Sequence, residues 1–162
     1  MVTAPDLFHL EHLSLALGTL GRQLAGPLGM ATLSPGDPAY RPWYDNADQG
    51  SDYTTAHGFN YHQGPEWVWC MGFYLRAKLA AERRAEEGSV EGAGGDSVGG
   101  AGGDSEFYNK VLAPHRAMIS SGPYRGLAEL TNRNGEFCRG SCPTQAWSAA
   151  CLLELLEDIR HC

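Results

Sequence analysis

Four segments of the chain repeat apolar residues at steps of three and four, the spacing that gathers them on one face of an α-helix. The first helix is predicted within residues 6–24, with Asp6 as its N-cap and Gly26-Pro27 as its stop signal. The second ends in the charged sequence AAERRAEE, which is typical of a solvated helix tail. The two apolar stripes consist of Leu10, Leu13, Leu17, Leu20 and Leu24 in the first helix, and of Val68, Met71, Leu75 and Leu79 in the second.

Two further helices are predicted in the C-terminal half. One runs through SEFYNKVLA and is expected to end or kink near Pro114, because proline lacks a backbone N–H and its ring clashes with the preceding turn. No convincing run of alternating apolar and polar residues indicates a strand, so the pattern predicts an all-α protein. The last helix lies in TQAWSAACLLELLEDI, with Leu152, Leu155, Leu156 and Ile159 on one side.

The segment between the second and third helices, residues 88–105, is rich in glycine and contains GAGGDS twice. Such a tract cannot bury enough apolar surface to offset the entropy lost on ordering, so it is predicted to be a disordered surface insertion. The glycines do not fit a phosphate-binding loop, because no Gly-Lys-Ser or Gly-Lys-Thr follows them.

Two long segments without helical periodicity, residues 30–67 and 120–144, are rich in polar and aromatic residues. Structureless stretches of this length inside a compact domain are usually functional. We therefore expect a helical scaffold that carries its site on the loop side.

The formal net charge of -7 over 162 residues argues against polyanionic partners, so neither nucleic acid nor an anionic membrane surface is expected. No stretch approaches the roughly 20 apolar residues of a membrane helix. The first residues include an acid and no basic segment, which argues against a secretory signal and favours a cytoplasmic protein with reduced thiols.

The five cysteines are an odd number, which fits poorly with a fully paired disulfide framework. Cys138 and Cys142 could be two metal ligands. A zinc site usually shows a second matched pair at short spacing, which this sequence lacks, so free thiols are favoured. No metal and no other cofactor is expected.

Glu129, in GLAELTNRNG, is the most interesting carboxylate of the chain. Leu127 and Leu130 flank it, and an acid held between apolar residues loses hydration, which favours a role in proton transfer. Thr131 and the amides of Asn132 and Asn134 follow, and they could orient the carboxyl or bind the hydroxyls of a sugar. From composition alone, a loop glutamate is more often a surface or capping residue.

The aromatic stretch FNYHQGPEWVWCMGFYLRA, residues 59–77, sets Trp and Tyr rings beside polar groups, which suits a sugar-binding wall or an ordinary aromatic core. Trp67, Trp69 and Trp147 are candidates for either role. Glu66 lies at a helix start, where an acid complements the helix dipole without binding any ligand. For His57 and His62, hydrogen bonding is favoured over metal binding.

Three acids in YDNADQGSDY, namely Asp45, Asp48 and Asp52, could together suggest calcium. Their spacing does not match the twelve-residue calcium loop. They are predicted to be turn formers, a common role of aspartate in loops.

Several motifs together resemble one family. GPLGMATL, YDNADQGSDYTTAHGFNYHQGPEWVW, GFYLRAKL, GLAELTNRNG and SCPTQAWSAACLLELLEDI are similar, in this order, to the C-terminal end of eukaryotic glycogen debranching enzyme. The likeness covers residues 7–84 and 106–160 and leaves out the glycine tract. It implies that residues 4–162 are the C-terminal portion of a glucosidase domain, an (α/α)6 toroid of six helical hairpins that is incomplete in this chain.

The resemblance also implies an activity and a site. The family's amylo-α-1,6-glucosidase removes the single α-1,6-linked glucose at a branch stub of glycogen or limit dextrin, with inversion. The glutamate of its ELTN motif is the general base and corresponds to Glu129, whereas its general acid is an aspartate upstream of the matched region. Ala128 stands where the family has proline, which predicts a less rigid loop around Glu129. The expected substrate-binding residues are His62, Gln63, Glu66, Trp67, Asn132, Gln145 and Trp147.

Two functions of different classes stay open. In the first, the chain belongs to a glycogen-debranching glucosidase whose remaining helices come from upstream sequence and whose 4-α-glucanotransferase module is absent here. In the second, it is a truncated, inactive fragment that acts at most as a glucan-binding module. An assay of glucose release from a branched limit dextrin discriminates between the two.

Overall fold

The structure is a computed structural model that describes residues 2–90 and 101–161. Within this part of the chain it is mostly helical, as the periodicity predicts. The four α-helices are α1 (Leu10–Leu24), α2 (Val68–Val90), α3 (Ala101–Ser121) and α4 (Ala146–Arg160). The short elements are strands β1 (Met30–Ala31), β2 (Glu66–Trp67) and β3 (Leu130–Thr131), and 3-10 helices Pro5–Leu7, Ala56–Gly58 and Arg133–Gly135.

The start of α1 differs from the prediction. His9, not Asp6, is the N-cap residue, and its side chain makes no capping hydrogen bond within the described chain. Asp6 lies in the first 3-10 helix, and its carboxylate is 3.9 Å from Nε of Arg84 on α2. The acid therefore faces another helix instead of the free N–H groups of its own.

Helix α3 continues through Pro114 to Ser121, so the expected end at this proline is wrong. Leu112 and His115, on either side of the proline, are both buried. Their packing holds the helix in place where local propensity alone would stop it.

The ends of the glycine-rich tract also differ from the prediction, because α2 extends to Val90 and α3 begins at Ala101. Residues 88–90 and 101–105 are therefore helical. Residues 91–100, the centre of the predicted insertion, lie outside the described residues.

A small antiparallel sheet in the order β1-β2-β3 qualifies the prediction of an all-α protein. Its pairs include Met30 with Trp67 and Glu66 with Thr131. Strands of two residues are too short to show an alternating pattern in the sequence. A Cβ at Gly29 would lie 2.7 Å from the Trp67 backbone, so the close approach of β1 to β2 requires glycine there.

The core lies mainly between α2 and α4. The predicted α2 stripe is buried along its whole length, and Leu152 and Leu155 of α4 pack against it, whereas Leu156 is 43% exposed and does not belong to the core. Arg76 on α2 pairs with Glu154 and, at 2.6 Å, with Asp158 on α4. In the described residues no helix is both long and apolar enough to cross a bilayer.

Candidate active site around Glu129

Glu129 lies directly before β3, at the point where three parts of the chain meet. Its backbone N–H donates to Cys142 O at 2.9 Å, and its carbonyl accepts from the Val68 N–H at 3.1 Å. The residue is thus tied to the start of α2 on one side and to the loop before α4 on the other. Its side chain is half-buried.

Three donors converge on the Glu129 carboxyl group. Oε1 accepts a hydrogen bond from the Tyr61 hydroxyl and a second bond, 3.3 Å long, from Nε2 of Gln145. Oε2 accepts the Cys142 backbone N–H, also at 3.3 Å, and no other donor from the described residues. Since a carboxylate can accept about four hydrogen bonds, these contacts leave capacity on Oε2.

Tyr61 is fixed by an aromatic cluster. Its ring centroid lies 4.7 Å from those of His62 and Trp67 and 5.0 Å from that of Tyr44. The Trp67 indole also donates to Tyr61 O at 3.1 Å. Burial, and then the hydrogen bond to Glu129, raise the pKa of Tyr61, so its hydroxyl stays protonated and remains a donor.

Hydrogen bonds hold the two backbone carbonyl groups that precede Glu129 in its loop. Leu127 O accepts from the Gln145 N–H at 2.8 Å, and Ala128 O accepts from the Ser148 hydroxyl at 2.8 Å. Ser148 Oγ also lies 3.3 Å from Oε1 of Gln145, the N-cap residue of α4. Hydrogen bonds from the start of α4 thus hold the segment around Ala128, the position at which the resemblance expects a proline.

The predicted aromatic binding residues divide into exposed and buried side chains. His62 is exposed, and its ring stacks on Trp67 at 5.2 Å with an interplanar angle of 15°. Trp67 itself is only 7% exposed and packs with Leu130 and Cys138. Trp147 is 49% exposed at the start of α4 and stacks on Trp69 at 4.1 Å. His62 and Trp147 therefore offer accessible aromatic surface, whereas Trp67 supports Tyr61 from within the core.

Two predicted polar residues lie near this group without reaching Glu129 in the described structure. Asn132 Oδ1 accepts from the Tyr44 N–H at 3.0 Å, which holds the backbone of Tyr44. The Gln63 side chain is exposed, and the backbone carbonyl of Gln63 accepts from the Arg41 backbone N–H.

The described partners of the Glu66 carboxylate do not include Glu129, and the explanation of Glu66 by a helix dipole is wrong. The residue lies in β2, and its carboxylate accepts from the backbone N–H groups of Asn134 at 2.8 Å and Gly135 at 3.0 Å and from the Thr131 hydroxyl at 3.3 Å. Burial raises the pKa of Glu66, and these hydrogen bonds oppose the rise. The carboxylate holds the 3-10 turn Arg133–Gly135, in which Asn134 and Gly135 have positive φ.

The same carboxylate borders a cleft of about 410 Å³ between the end of α1 and this turn. Gln23, Tyr40 and Arg133 supply polar groups there, while Pro27 and Pro35 supply apolar surface. Glu129 is not one of the described residues that line this cleft. Glu66 therefore lines a cleft of its own, although β2 pairs with the strand that follows Glu129.

The other acids and thiols have local roles. Oδ1 atoms of Asp45, Asp48 and Asp52 accept backbone N–H groups two residues ahead at 2.8–2.9 Å, which confirms them as turn formers. Cys138 and Cys142 are free thiols, and Cys162 lies outside the described residues. No group of three or more His, Cys, Asp and Glu side chains within the described ranges could hold a metal ion.

Three contributors to the Glu129 site were not predicted from the sequence: the Tyr61 hydroxyl, the Cys142 N–H and the Ser148 hydroxyl. Tyr61 stands next to the predicted His62, but 68 positions separate it from Glu129. No local pattern joins two residues that far apart. The sequence offered one signal for Tyr61: it begins the segment Tyr-His-Gln-Gly, which Pro65 separates from β2.

Comparison with known proteins places the chain in a family. A family model described as Amylo-alpha-1,6-glucosidase matches residues 1–154, and the chain belongs to this family. The glycogen debranching enzyme of Saccharomyces cerevisiae is 42% identical to the chain over 166 aligned residues. That match covers 98% of the chain and 10% of the yeast protein, so the chain spans about a tenth of the length of this curated relative.

Proposed function

We propose that these residues form part of an inverting α-1,6-glucosidase that removes the single glucose left at a branch stub of glycogen or limit dextrin. Glu129 acts as its general base. The supporting observation is the carboxyl group itself, which is half-buried, held by three donors and left with a free position on Oε2. A base that must take a proton from water needs an oxygen that is fixed and still accessible.

In the proposed reaction, Glu129 takes a proton from a water molecule as the water oxygen bonds to the anomeric carbon. The glycosidic C–O bond breaks, and its electron pair leaves with the departing oxygen, which a carboxylic acid outside these 162 residues protonates. Inverting glycosidases keep the acid and base about 6.5–9.5 Å apart so that this water fits between base and sugar. The product of an α-linked stub is then β-glucose.

The exposed rings of His62 and Trp147 and the Gln145 amide are the best placed of the expected binding residues. An exposed aromatic face can cover the apolar C–H face of a hexose, while amides bind its hydroxyls. Gln63 and Asn132 lie further out in the same loops. We assign Trp67 a supporting role, and Glu66 the role of holding its turn, rather than direct contact with glucose.

The remaining architecture is also part of the proposal. Helices α1–α4 would belong to an (α/α)6 toroid whose other helices lie outside these residues, in a cytoplasmic enzyme that uses no cofactor. The exposed leucines of α1 and α4, Leu15 and Leu153, would pack against those helices.

The test is a chimera in which residues 1–162 replace the matching segment of the yeast glycogen debranching enzyme. We expect the chimera to release β-glucose from a limit dextrin, with the anomer identified by NMR during the first turnovers. Glu129→Gln preserves the shape of the side chain and removes its basicity. It should lower glucose release by about 10²–10⁴-fold, the contribution of a positioned acid or base.

The matched control is Glu136→Gln, which makes the same change at an exposed position of the same loop. It should leave glucose release nearly unchanged. A fully active Glu129→Gln chimera would remove Glu129 from the mechanism, and initial release of α-glucose would indicate a retaining reaction. A folded chimera that binds dextrin but releases no glucose, with Glu129 intact, would support the glucan-binding alternative.

A further inference from the structure

The two oxygens of the Glu129 carboxyl group have different surroundings. Oε1 is bonded by two side-chain donors, Tyr61 and Gln145, and lies on the side of the aromatic cluster. Within residues 2–90 and 101–161, Oε2 meets a single donor, the backbone N–H of the exposed Cys142. The fold thus distinguishes an anchored oxygen from an open one.

We propose that Tyr61 is a positioning residue of the hydrolytic site: its hydroxyl anchors Oε1 of Glu129 and leaves Oε2 directed to take the proton from water. This inference rests on the proposed function. Tyr61 does not touch the sugar or the reacting atoms in this scheme, and it acts only through Glu129.

The bond from Tyr61 to Oε1 is of a kind that can hold the carboxyl group of a general base in place. A hydroxyl donated to a carboxylate is a charge-assisted hydrogen bond, about twice as strong as one between neutral groups. If both oxygens were open, the carboxyl could rotate and the proton-accepting oxygen would not be fixed relative to the anomeric carbon.

The position of the Tyr61 hydroxyl is fixed independently of Glu129. Three rings, those of Tyr44, His62 and Trp67, contact the Tyr61 ring, and the Trp67 indole bonds to its carbonyl. This cluster explains why the chain buries Trp67 beside the site. The tryptophan sets the direction of the hydroxyl rather than the affinity for the sugar.

The other titratable groups near the carboxyl do not compete for this role. Tyr44, Cys138 and Cys142 also lie close to Glu129. Burial raises the pKa of both Tyr44 and Cys138, so these two groups are neutral near pH 7. The Cys142 side chain bonds instead to Thr144 O at 3.0 Å.

The experiment measures kcat and KM separately for the same chimera, with limit dextrin as substrate. Tyr61→Phe keeps the ring and its contacts and removes only the anchoring donor. We expect kcat to fall by about 10-fold, the size expected from the loss of a hydrogen bond to a charged group. We expect KM to change less than about 2-fold, because Tyr61 does not bind substrate. In the Glu129→Gln background, Tyr61→Phe should lower kcat no further, because the hydroxyl acts only through Glu129.

A matched control makes the outcome decisive. Tyr53→Phe makes the chemical change of Tyr61→Phe at a residue that is 84% exposed, and it should leave kcat and KM unchanged.

An unchanged kcat in Tyr61→Phe, with Glu129→Gln strongly impaired, would overturn the positioning role and leave the proposed function intact. An equal loss of kcat from Tyr61→Phe in the parent chimera and in the Glu129→Gln background would also overturn it, because that result is expected of a purely structural residue. An active Glu129→Gln chimera would overturn both proposals together.

Discussion

At the scale of single residues, Glu66 shows how a buried carboxylate can be accommodated by removing a side chain opposite it. A Cβ added at Gly26 would lie 2.1 Å from Oε2 of Glu66. The glycine therefore leaves the space that the carboxylate occupies while it holds the N–H groups of Asn134 and Gly135. A buried acid left without such donors would carry a large desolvation cost.

We predict that Gly26→Ala destabilises the 162-residue chain by about 1–3 kcal/mol, because the methyl group displaces the Glu66 carboxylate from its donors. Urea unfolding followed by circular dichroism measures the change. Gly36→Ala is the matched control: its added Cβ would meet only Ser34 Oγ, at 3.8 Å. Equal stabilities for the two variants would show that the Glu66 contacts contribute little.

The sequence predicts some residues of the candidate site and misses others. Glu129 can be found from the sequence because it stands in a distinctive motif between apolar neighbours. The Tyr61 hydroxyl and the burial of Trp67 depend on which loops meet across the small sheet, and such long-range contacts leave no local pattern. The helix-dipole explanation of Glu66 was wrong for the same reason, since the donors to its carboxylate lie 65 to 69 positions away.

At the scale of the elements, His115 links α3 to the segment before β1. Its side chain is buried, Nε2 lies 2.8 Å from Leu28 O, and Nδ1 lies 3.2 Å from Val111 O. A neutral imidazole has one N–H, which we assign to Nε2 because that contact is shorter. Burial lowers the pKa of His115 below its ordinary value of 6.5, so the folded protein holds the ring neutral.

This link predicts a loss of stability in acid. The unfolded chain binds a proton at His115 more readily than the folded protein, so the free energy of unfolding falls as the pH drops below about 6.5. We expect the thermal midpoint to be lower at pH 5 than at pH 7. His115→Leu should lose about 1–3 kcal/mol at pH 7, because Leu28 O is left unpaired, and it should depend less on pH.

The exposed residue His12 provides the control for loss of an imidazole. His12→Gln should keep the pH dependence of the unmodified chain. If His115→Leu loses as much stability between pH 7 and pH 5 as the unmodified chain does, the acid sensitivity comes from other groups.

The elements themselves follow from local pattern to different degrees. The α2 stripe was predicted correctly because four apolar residues at helical spacing are enough to define a face. The three strands were missed because each has two residues and forms only when distant loops meet. At Pro114 the local pattern predicted an end that α3 does not have, because burial of Leu112 and His115 outweighs the local cost of proline.

At the scale of the whole molecule, the described surface leaves large leucines in water on two helices. Leu15 on α1 is 70% exposed, and Leu153 on α4 is 64% exposed. Both helices bury their opposite faces, through Leu13 and Leu17 on α1 and through Leu155 on α4. On α4, Leu156 is also exposed and lies three positions from Leu153, so the two leucines share one face. Exposed apolar patches of this kind, unlike single exposed residues, are typical of surfaces that contact further protein.

We therefore predict that the isolated 162-residue chain self-associates as its concentration rises, because these leucines cover each other when no other helices do. Sedimentation velocity over a range of concentrations measures the association. The double variant Leu15→Gln and Leu153→Gln should associate less, and its unfolding free energy should change by less than about 1 kcal/mol, because glutamine suits a helix surface. Tyr53→Gln, an exposed loop position, should associate like the unmodified chain. A chain that stays monomeric at every concentration, or a double variant that associates equally well, would show that these leucines are ordinary exposed residues and would weaken the case for helices packed against them.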